Sequence, residues 1–180
     1  VASQLRRAPS LRRLSLGFTR SSGFAVPTND DTVVELQCSK AGLEAADAIL
    51  IAAAMSTLPE LASMDISGQK IGPAGKMAIA AALRERTKRS RLKCMTKLTV
   101  DLGQRHRPKE LKSTGTHEYV LKMDTAGLTA ADVLCLSAFL YTHDTVDMLN
   151  LRGNGEMFAA VEDDDWDLFV ETLKHKAEEG

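Results

Sequence analysis

The sequence predicts an α/β protein in which about five parallel strands, joined through helices, stack side by side as a short solenoid. Three observations lead to this prediction. A strand, turn and helix pattern recurs with a period of 28 residues. Apolar residues alternate within each predicted strand, as they do when one face of a sheet is buried. Only 4% of the residues are aromatic, while alanine and leucine are abundant, which suits close packing of helices on a sheet.

The first unit begins with a predicted strand over residues 33–38. Alternation places Leu36 and Cys38 on one face of this strand and Gln37 on the other. A turn containing glycine follows, and Leu43 is expected to anchor the turn in the interior, as Ile71 and Leu128 are in later copies. The next segment predicts a helix over residues 44–58 whose apolar stripe is formed by Ala45, Ile49, Ala52 and Ala53.

Further copies of this unit follow along the chain. In the second copy Met64 stands 28 residues after Leu36. Residues 41–47 and 126–132 differ at only one position and lie 85 residues apart, which is close to three periods. A fourth copy spans residues 146–154, and residues 95–100 supply the strand of an irregular middle copy. Because no unit could bury its apolar face alone, the units are expected to stack. A chance repeat within a different α/β fold remains the alternative.

Two segments carry a resemblance to a known family. They are Met64 to Gly75, which reads MDISGQKIGPAG, and Leu149 to Asn154, which reads LNLRGN. Across residues 32–176 the chain resembles the leucine-rich-repeat superfamily, in its ribonuclease-inhibitor-like class, with short and degenerate repeats. The resemblance implies helices on the convex side and protein binding through the concave strand face. The chain departs from the pattern at Gln69, where the family has asparagine, and in the repeats at Leu36 and Leu121, where that asparagine is lost.

The chain divides into two parts at about residue 31. Residues 1–31 form a basic N-terminal arm or targeting segment, predicted to be extended. Residues 32–177 form the repeat domain, with an irregular basic middle at 84–118 and a C-terminal cap at 157–177. In the cap, the side chains expected to cover the last strand are Trp166, Phe169, Val170 and Leu173.

The arm has the composition of an organelle transit peptide, because it is basic and rich in serine and contains no acidic residue through position 29. The stretch from Arg12 to Gly17 resembles the two-step processing sites of mitochondrial matrix precursors, which would free a chain starting near Ser22. We therefore predict mitochondrial residence, with a plastid as the alternative. An ordinary basic tail, docked on the domain rather than cleaved, remains open.

The net charge of −1 does not indicate any class of binding partner, but the charge is unevenly distributed. Residues 84–112 carry eleven basic and three acidic side chains, and residues 142–180 carry eleven acidic and three basic ones. Opposite charges at two ends favour docking in a defined orientation.

The three cysteines lack metal-site spacing, and Cys38 and Cys135 are expected to be buried thiols. No apolar run approaches the roughly 20 residues of a membrane-spanning helix.

Motifs that carry catalysis are missing from the sequence. It contains no phosphate-binding glycine loop, nucleophile elbow or HExxH motif. The four histidines are scattered, and the carboxylates from Glu162 to Asp167 lack the spacing of a calcium loop, so they are read as the start of a helix. We therefore expect no enzymatic activity, cofactor or metal.

The sequence favours a non-catalytic protein-binding scaffold, an accessory subunit or assembly factor of a large organellar complex, respiratory or photosynthetic. Its partners would be protein subunits of that complex, to which it would be peripheral. An RNA-associated ribosome accessory protein, held by the basic arm and basic middle, is the alternative, and an unrecognised enzyme or enzyme regulator is a third. The candidate partner-binding residues are Arg6, Arg7, Arg12, Arg13, Arg20, Gln37, Asp65, Arg86, Lys88, Arg89, Arg91, Lys122, Asn150 and Arg152.

Overall fold

The computed structural model describes residues 4–5, 7–16, 24–89, 91–93, 95–102, 107–112, 119–122, 127–141, 146–151, 153–154, 167 and 169–170. Eight strands and three helices are described there, and strands and helices alternate from β3 to β5. They are β1 (Arg13–Leu16), β2 (Phe24–Pro27), β3 (Glu35–Gln37), α1 (Ala45–Met55), β4 (Ser63–Asp65), α2 (Gly72–Thr87), β5 (Lys97–Leu102), β6 (Arg107–Lys112), β7 (Tyr119–Lys122), α3 (Ala130–Leu140) and β8 (Val146–Asn150).

Strands β3, β4 and β5 form the parallel part of the main sheet. In their register Leu36 lies beside Met64, and Met64 lies beside Leu98. All three side chains are buried, as the alternation in the sequence predicted. Burying each such side chain stabilises the fold by about 1.5–3 kcal/mol. The buried face of these three strands is therefore the one that the alternation predicted.

The predicted solenoid with one sheet of about five parallel strands is wrong. The main sheet has the order β3-β4-β5-β6, and β6 runs antiparallel to β5. The β5–β6 pairing extends from Lys97 beside Lys112 to Leu102 beside Arg107. Because a strand has only two hydrogen-bonding edges, β4 and β6 occupy both edges of β5, and no further parallel strand can join there. The strands β7 and β8 accordingly form a separate parallel pair.

The helices pack against one another, and α2 contacts both α1 and α3. Helix α1 is shorter than the predicted 44–58, since it begins at Ala45 and ends at Met55. Its predicted stripe is partly wrong, because Ile49 is 41% exposed. The turn anchors Leu43, Ile71 and Leu128 are buried as predicted.

A glycine lets α1 and α2 approach closely. A Cβ atom placed on Gly75 in α2 would lie 2.8 Å from the Cβ of Ile71 and 2.9 Å from the Cβ of Ala48 in α1. Contacts this short are repulsive, so the helix pair depends on the missing side chain at this position. The sequence predicted close packing of helices on the sheet, whereas this close approach is between two helices.

The loops between strand and helix repeat the same hydrogen bond in two places. The backbone amide of Leu43 donates to Gln69 Oε1 (2.7 Å), and the backbone amide of Leu128 donates to Asn154 Oδ1 (3.1 Å). Each donor and acceptor are 26 residues apart. Gln69 thus accepts from the backbone amide of Leu43 as Asn154 accepts from the equivalent amide of Leu128, which explains why glutamine is accepted at this turn.

The N-terminal arm is a docked hairpin rather than an extended segment. Strands β1 and β2 pair antiparallel, with Leu14 beside Val26. Val26 is fully buried. Asn29 fastens the hairpin: its side-chain amide donates to the carbonyl oxygens of Ala8 and Leu11, and its backbone amide donates to Thr57 Oγ1. The hairpin therefore covers the region that follows α1.

The predicted C-terminal cap lies almost entirely outside the described residues. Among those described, Phe169 is buried and Val170 is 39% exposed. Phe169 belongs to the hydrophobic core. It is one of the four side chains that were predicted to form the cap.

Candidate binding surfaces

The outward face of β3, β4 and β5 is polar. Following the strand register, two rows of three side chains cross it: Glu35, Ser63 and Lys97 in one row, and Gln37, Asp65 and Thr99 in the other. We call these six side chains the polar sheet face. The two on β3 are exposed and the other four are half-buried. Since neighbouring strands lie about 4.8 Å apart, each row spans about 10 Å.

Hydrogen bonds hold part of the polar sheet face in place. The side-chain amide of Gln37 donates to Glu35 Oε1 (2.6 Å), and the hydroxyl of Ser63 donates to the same oxygen (3.3 Å). Asp65 Oδ1 accepts the backbone amide of Ser67 (2.9 Å). The charge changes sign along the first row, from Glu35 on β3 to Lys97 on β5. Gln37 and Asp65, both predicted to bind a partner, are therefore neighbours on one surface.

The basic side chains at the end of α2 are less accessible to a binding partner than the sequence predicted. Arg86 was predicted to bind a partner, but it is only 1% exposed, so this prediction is wrong. Arg89 forms an ion pair with Glu85 one turn earlier in the helix. Of the four predicted basic residues from position 86 to 91, Lys88 and Arg91 are exposed.

Arg86 is buried because its guanidinium replaces water around a set of backbone carbonyl groups. It donates to the carbonyl oxygens of Met55 (2.6 Å), Leu58 (2.9 Å), Leu61 (2.7 Å) and Lys93 (2.7 Å). Met55 is the last residue of α1, where the helix dipole favours a cation. Arg86 also follows Ile79 and Leu83 on the buried face of α2, so helical spacing was a signal that could have identified it.

The described basic residues of the arm lie on the surface. Arg7, Arg12 and Arg13 are exposed. The guanidinium of Arg12 donates to the backbone carbonyl of Asn29, which links the first strand of the hairpin to its end. Arg6 and Arg20 lie outside the described residues. The three described arginines are thus accessible to a partner, at positions separate in sequence from Lys88 and Arg91.

The last three candidates fall in the separate parallel pair and its loop. Lys122 on β7 and Asn150 on β8 are neighbours in the strand register. Arg152 lies outside the described residues. The pairing brings two of the predicted residues onto adjacent strands, in a different sheet from Gln37 and Asp65.

A cavity of about 730 Å³ lies where the first residues of α2 and α3 approach β5, and no pattern in the sequence had indicated it. Its volume is within the range of small-molecule sites. The apolar part of its wall includes Ile66, Ile71 and Pro73, and the polar part includes Lys70, Gln69 and Thr129. Besides Lys70, the ionisable residues of the described wall are Lys76, Asp101 and Asp132, and the glycines Gly68 and Gly72 complete it.

Asp101 differs from the other side chains of the cavity. Its position on β5 predicts an outward side chain, yet it is only 6% exposed. Its Oδ2 atom accepts the backbone amide of Gly68 (2.8 Å). Its Oδ1 atom is buried and accepts no hydrogen bond from the part of the chain that the structure describes. A buried carboxylate oxygen without a donor is energetically unfavourable.

Lys76 and Asp132 neutralise each other across the helix pair. The ammonium of Lys76 in α2 donates to Asp132 Oδ1 in α3, and both side chains are buried. Asp132 Oδ2 accepts the backbone amide (2.8 Å) and the hydroxyl (2.7 Å) of Thr129, which is a capping box at the start of α3. This carboxylate is therefore occupied on both oxygens, in contrast to Asp101.

Burial keeps the thiols of Cys38 and Cys135 in their protonated form. Burial, with a smaller contribution from the charge of Asp65, raises the pKa of Cys38 to about 12. Burial, with a smaller contribution from Asp132, raises the pKa of Cys135 to about 12. The thiolate, which is the reactive form, is scarce for both at neutral pH. The prediction that these two cysteines are buried is confirmed.

The chain matches no protein-family model, no curated protein sequence and no solved structure. The resemblance to the leucine-rich-repeat superfamily therefore stays a prediction. None of the described helices combines the length and the apolar character needed to cross a lipid bilayer. Within the described residues, histidine, cysteine, aspartate and glutamate side chains form no group of three or more that could hold a metal ion.

Proposed function

We propose that the chain is a non-catalytic protein-binding scaffold, an accessory subunit or assembly factor of a large organellar complex, respiratory or photosynthetic. The observation that carries the proposal is the polar sheet face. Its six side chains cover one side of three parallel strands, while the opposite side is buried in the core. A sheet open on one face offers a flat surface on rigid elements, and rigid elements hold a recognition surface precisely enough for specificity.

The chemistry of the polar sheet face indicates how it would recognise a partner. It carries no aromatic side chain, and aromatic residues usually supply the largest share of the binding energy at an interface. Recognition would therefore rest on electrostatic complementarity, which mainly determines specificity and association rate. A matching partner would place a basic group opposite Glu35 and an acidic group opposite Lys97.

The arm supports the organellar part of the proposal through its composition. It is basic and acid-free through residue 29, as mitochondrial transit peptides are. We propose mitochondrial residence, with a plastid as the alternative. A retained arm would give the partner a second contact, because Arg7, Arg12 and Arg13 are exposed on the hairpin.

Site-specific photo-crosslinking in intact organelles tests the proposal. A photoreactive amino acid replaces Gln37 on the polar sheet face, and in a matched control it replaces Met77, which is 50% exposed on α2. We expect crosslinks from position 37 to one or a few subunits of a single complex, and much weaker crosslinks from position 77. The Glu35→Lys variant should reduce the crosslink yield from position 37 by about tenfold, which corresponds to about 1.4 kcal/mol.

Two results would contradict the proposal. One is a native chain that sediments alone at its monomer mass of 19.5 kDa. The other is an equal yield of the same products from positions 37 and 77.

The alternative, an RNA-associated ribosome accessory protein, now rests on a smaller basic surface. Exposed Lys88 and Arg91 favour it, but the burial of Arg86 and the ion pair of Arg89 remove two of the expected phosphate contacts. Binding to RNA through phosphate contacts weakens steeply with salt. RNA affinity that falls with salt and is lost in the Lys88→Ala, Arg91→Ala variant would favour this alternative.

A further inference from the structure

We propose that two copies of the chain associate through the edge of β3 that faces away from β4, pairing their β3 strands antiparallel about Leu36 into one continuous sheet. The interaction uses the backbone of β3 and leaves the polar sheet face of each copy open, so it does not depend on the proposed function. It rests on three properties of β3: the direction of its backbone groups, the exposure of its side chains and the charges at its two ends.

The first property is the position of β3 at the edge of the main sheet, where the strand order places only β4 beside it. The carbonyl oxygen of Val34 and the amide of Cys38 both bond to β4, at 3.0 and 2.7 Å. In a parallel pair alternate residues turn their backbone groups to the same neighbour. The backbone groups of Glu35 and Gln37 therefore point away from β4, and β3 pairs with no other strand in the part of the chain that the structure describes.

The second property is the exposure of this edge. The side chains of Glu35 and Gln37 are exposed. Val34 is 52% exposed, although alternation places it on the inward face of the sheet with Leu36. Proteins commonly protect such an edge with a proline, a bulge or an inward-pointing charge, and residues 33–38 contain neither a proline nor a charged residue at an inward position. An edge of this kind accepts a strand from another chain.

A second copy fits this edge because β3 is complementary to itself. When the two strands pair antiparallel about Leu36, Glu35 lies opposite Gln37 of the other copy. Each such pair exchanges two backbone hydrogen bonds, so the two pairs make four. The side chains are matched as well, since the Gln37 amide already donates to Glu35 Oε1 within one chain (2.6 Å). Antiparallel pairing about a two-fold axis also keeps the helices of both copies on one side of the joined sheet.

The third property is the opposite charge at the two ends of β3. Asp31 precedes the strand, Lys40 follows it, and both are exposed. In the register centred on Leu36, position 40 lies opposite position 32 of the other copy, so each Lys40 comes beside the Asp31 of the other copy. Parallel pairing would instead bring the two Asp31 side chains to the same end. Complementary charges at the rim of an interface fix the orientation of the partners, which favours the antiparallel pair of copies.

Sedimentation equilibrium of the purified full chain, from about 1 to about 500 μM, tests the proposal. A short strand makes a small interface, so we expect weak association with a dissociation constant on the order of 10–100 μM. The mean mass should rise with concentration from 19.5 kDa towards twice that value.

Two substitutions at position 37 test the edge itself. Gln37→Pro removes the amide donor that faces the second copy, and an edge strand tolerates proline where its amide faces solvent. Gln37→Ala removes the same side chain and keeps the donor, so it is the matched control. We expect Gln37→Pro to weaken dimerisation at least about tenfold and Gln37→Ala to weaken it by less than about threefold.

A charge exchange tests the register. Lys40→Glu should weaken dimerisation by about threefold at low salt, because the new carboxylate meets Asp31 of the other copy. Adding Asp31→Lys to that variant should restore the native dissociation constant, since the two ends again carry opposite charges. Restoration requires that the two ends meet between copies.

The proposal is overturned if the chain stays monomeric up to about 500 μM, if Gln37→Pro and Gln37→Ala dimerise equally, or if Asp31→Lys does not restore the affinity lost in Lys40→Glu. Circular dichroism shows whether each variant is folded. Should Gln37→Pro fail to fold, amide hydrogen exchange on the native chain still decides the question. Exchange at Glu35 and Gln37 should slow as the concentration rises, and a dimer in which their exchange is unchanged would use another surface and contradict the proposal.

Discussion

Replacing Arg86 by methionine should destabilise the protein severely, although the new side chain is apolar and of similar length. Four carbonyl oxygens accept hydrogen bonds of 2.9 Å or shorter from the Arg86 guanidinium. Each bond contributes about 1 kcal/mol net, and a carbonyl left buried without a donor is unfavourable by about 1–3 kcal/mol. Removing the buried charge offsets part of this loss. We expect the free energy of unfolding to fall by about 3–5 kcal/mol.

The location of these carbonyl groups explains why the loss would be global. Met55, Leu58 and Leu61 lie between the end of α1 and the start of β4, and Lys93 lies between α2 and β5. One guanidinium therefore holds two helix-to-strand connections in place. A lysine at position 86 keeps the charge but has three donors on a single nitrogen, so Arg86→Lys should have an intermediate effect.

Urea unfolding followed by circular dichroism measures these losses, with Arg84→Met as the matched control. Arg84 lies two residues earlier in α2, is half-buried, and its side chain forms no hydrogen bond or ion pair with the described residues. Its replacement should change stability by less than about 0.5 kcal/mol. In thermal unfolding the loss at Arg86 corresponds to a midpoint lower by about 6–20 °C for a chain of this length. Equal urea midpoints for Arg86→Met and Arg84→Met would refute the reasoning.

Two further predictions concern packing and pH. Gly75→Ala should destabilise the protein by about 1–3 kcal/mol, despite the higher helix propensity of alanine, because the new Cβ would lie 2.8 Å from Ile71 and 2.9 Å from Ala48; thermal unfolding measures the loss. The thiols of Cys38 and Cys135 have a pKa of about 12 against a usual 9.0. Iodoacetamide at pH 9 should modify them on the order of a thousandfold more slowly in the folded than in the unfolded chain. Between these pH values the unfolded state binds fewer protons, so the free energy of unfolding should fall as the pH rises, by up to about 1.4 kcal/mol per unit for each thiol.

Each of these predictions has its own control. The loss of stability from Gly75→Ala should be smaller in an Ala48→Gly background, because that substitution removes one of the two close contacts. An equal loss in both backgrounds would show that the contact with Ala48 does not cause the destabilisation. For the thiols, mass spectrometry assigns the modification to each cysteine. Rapid modification of Cys38 or Cys135 in the folded chain would contradict their burial.

Local structure was largely predictable from the sequence. The alternation of Leu36 and Cys38 with Gln37 predicted which side of β3 is buried, because successive side chains of a strand point to opposite faces. The recurrence of the turn anchors Leu43 and Leu128 likewise predicted two equivalent interior positions. The Gln37 and Asp65 pair of the polar sheet face followed from the same alternation. These features depend on residues close together in the chain, so a local pattern contains the information.

Pairing between distant strands was not predictable in this way. The alternation within β5 is the same whether its next neighbour runs parallel or antiparallel, so the return of the chain through β6 left no periodic signal that excluded a longer parallel sheet. That return ends the parallel run, since β6 occupies the second edge of β5, and β7 and β8 pair in a separate sheet. The direction of a neighbouring strand, and which strand occupies each hydrogen-bonding edge, are decided only in the folded chain.

The roles of individual charged residues were decided by tertiary structure as well. Arg86 and Arg91 belong to one basic run in the sequence, but carbonyl groups up to 31 residues away make only the first a buried structural residue. Asp101 and Asp132 are 31 positions apart, and only the packing of β5 beside α3 places both in one cavity wall. The sequence by itself determined which strand faces are apolar. The partners available to a buried charge depend on which backbone groups the fold brings within about 3 Å of it, and no local pattern specifies them.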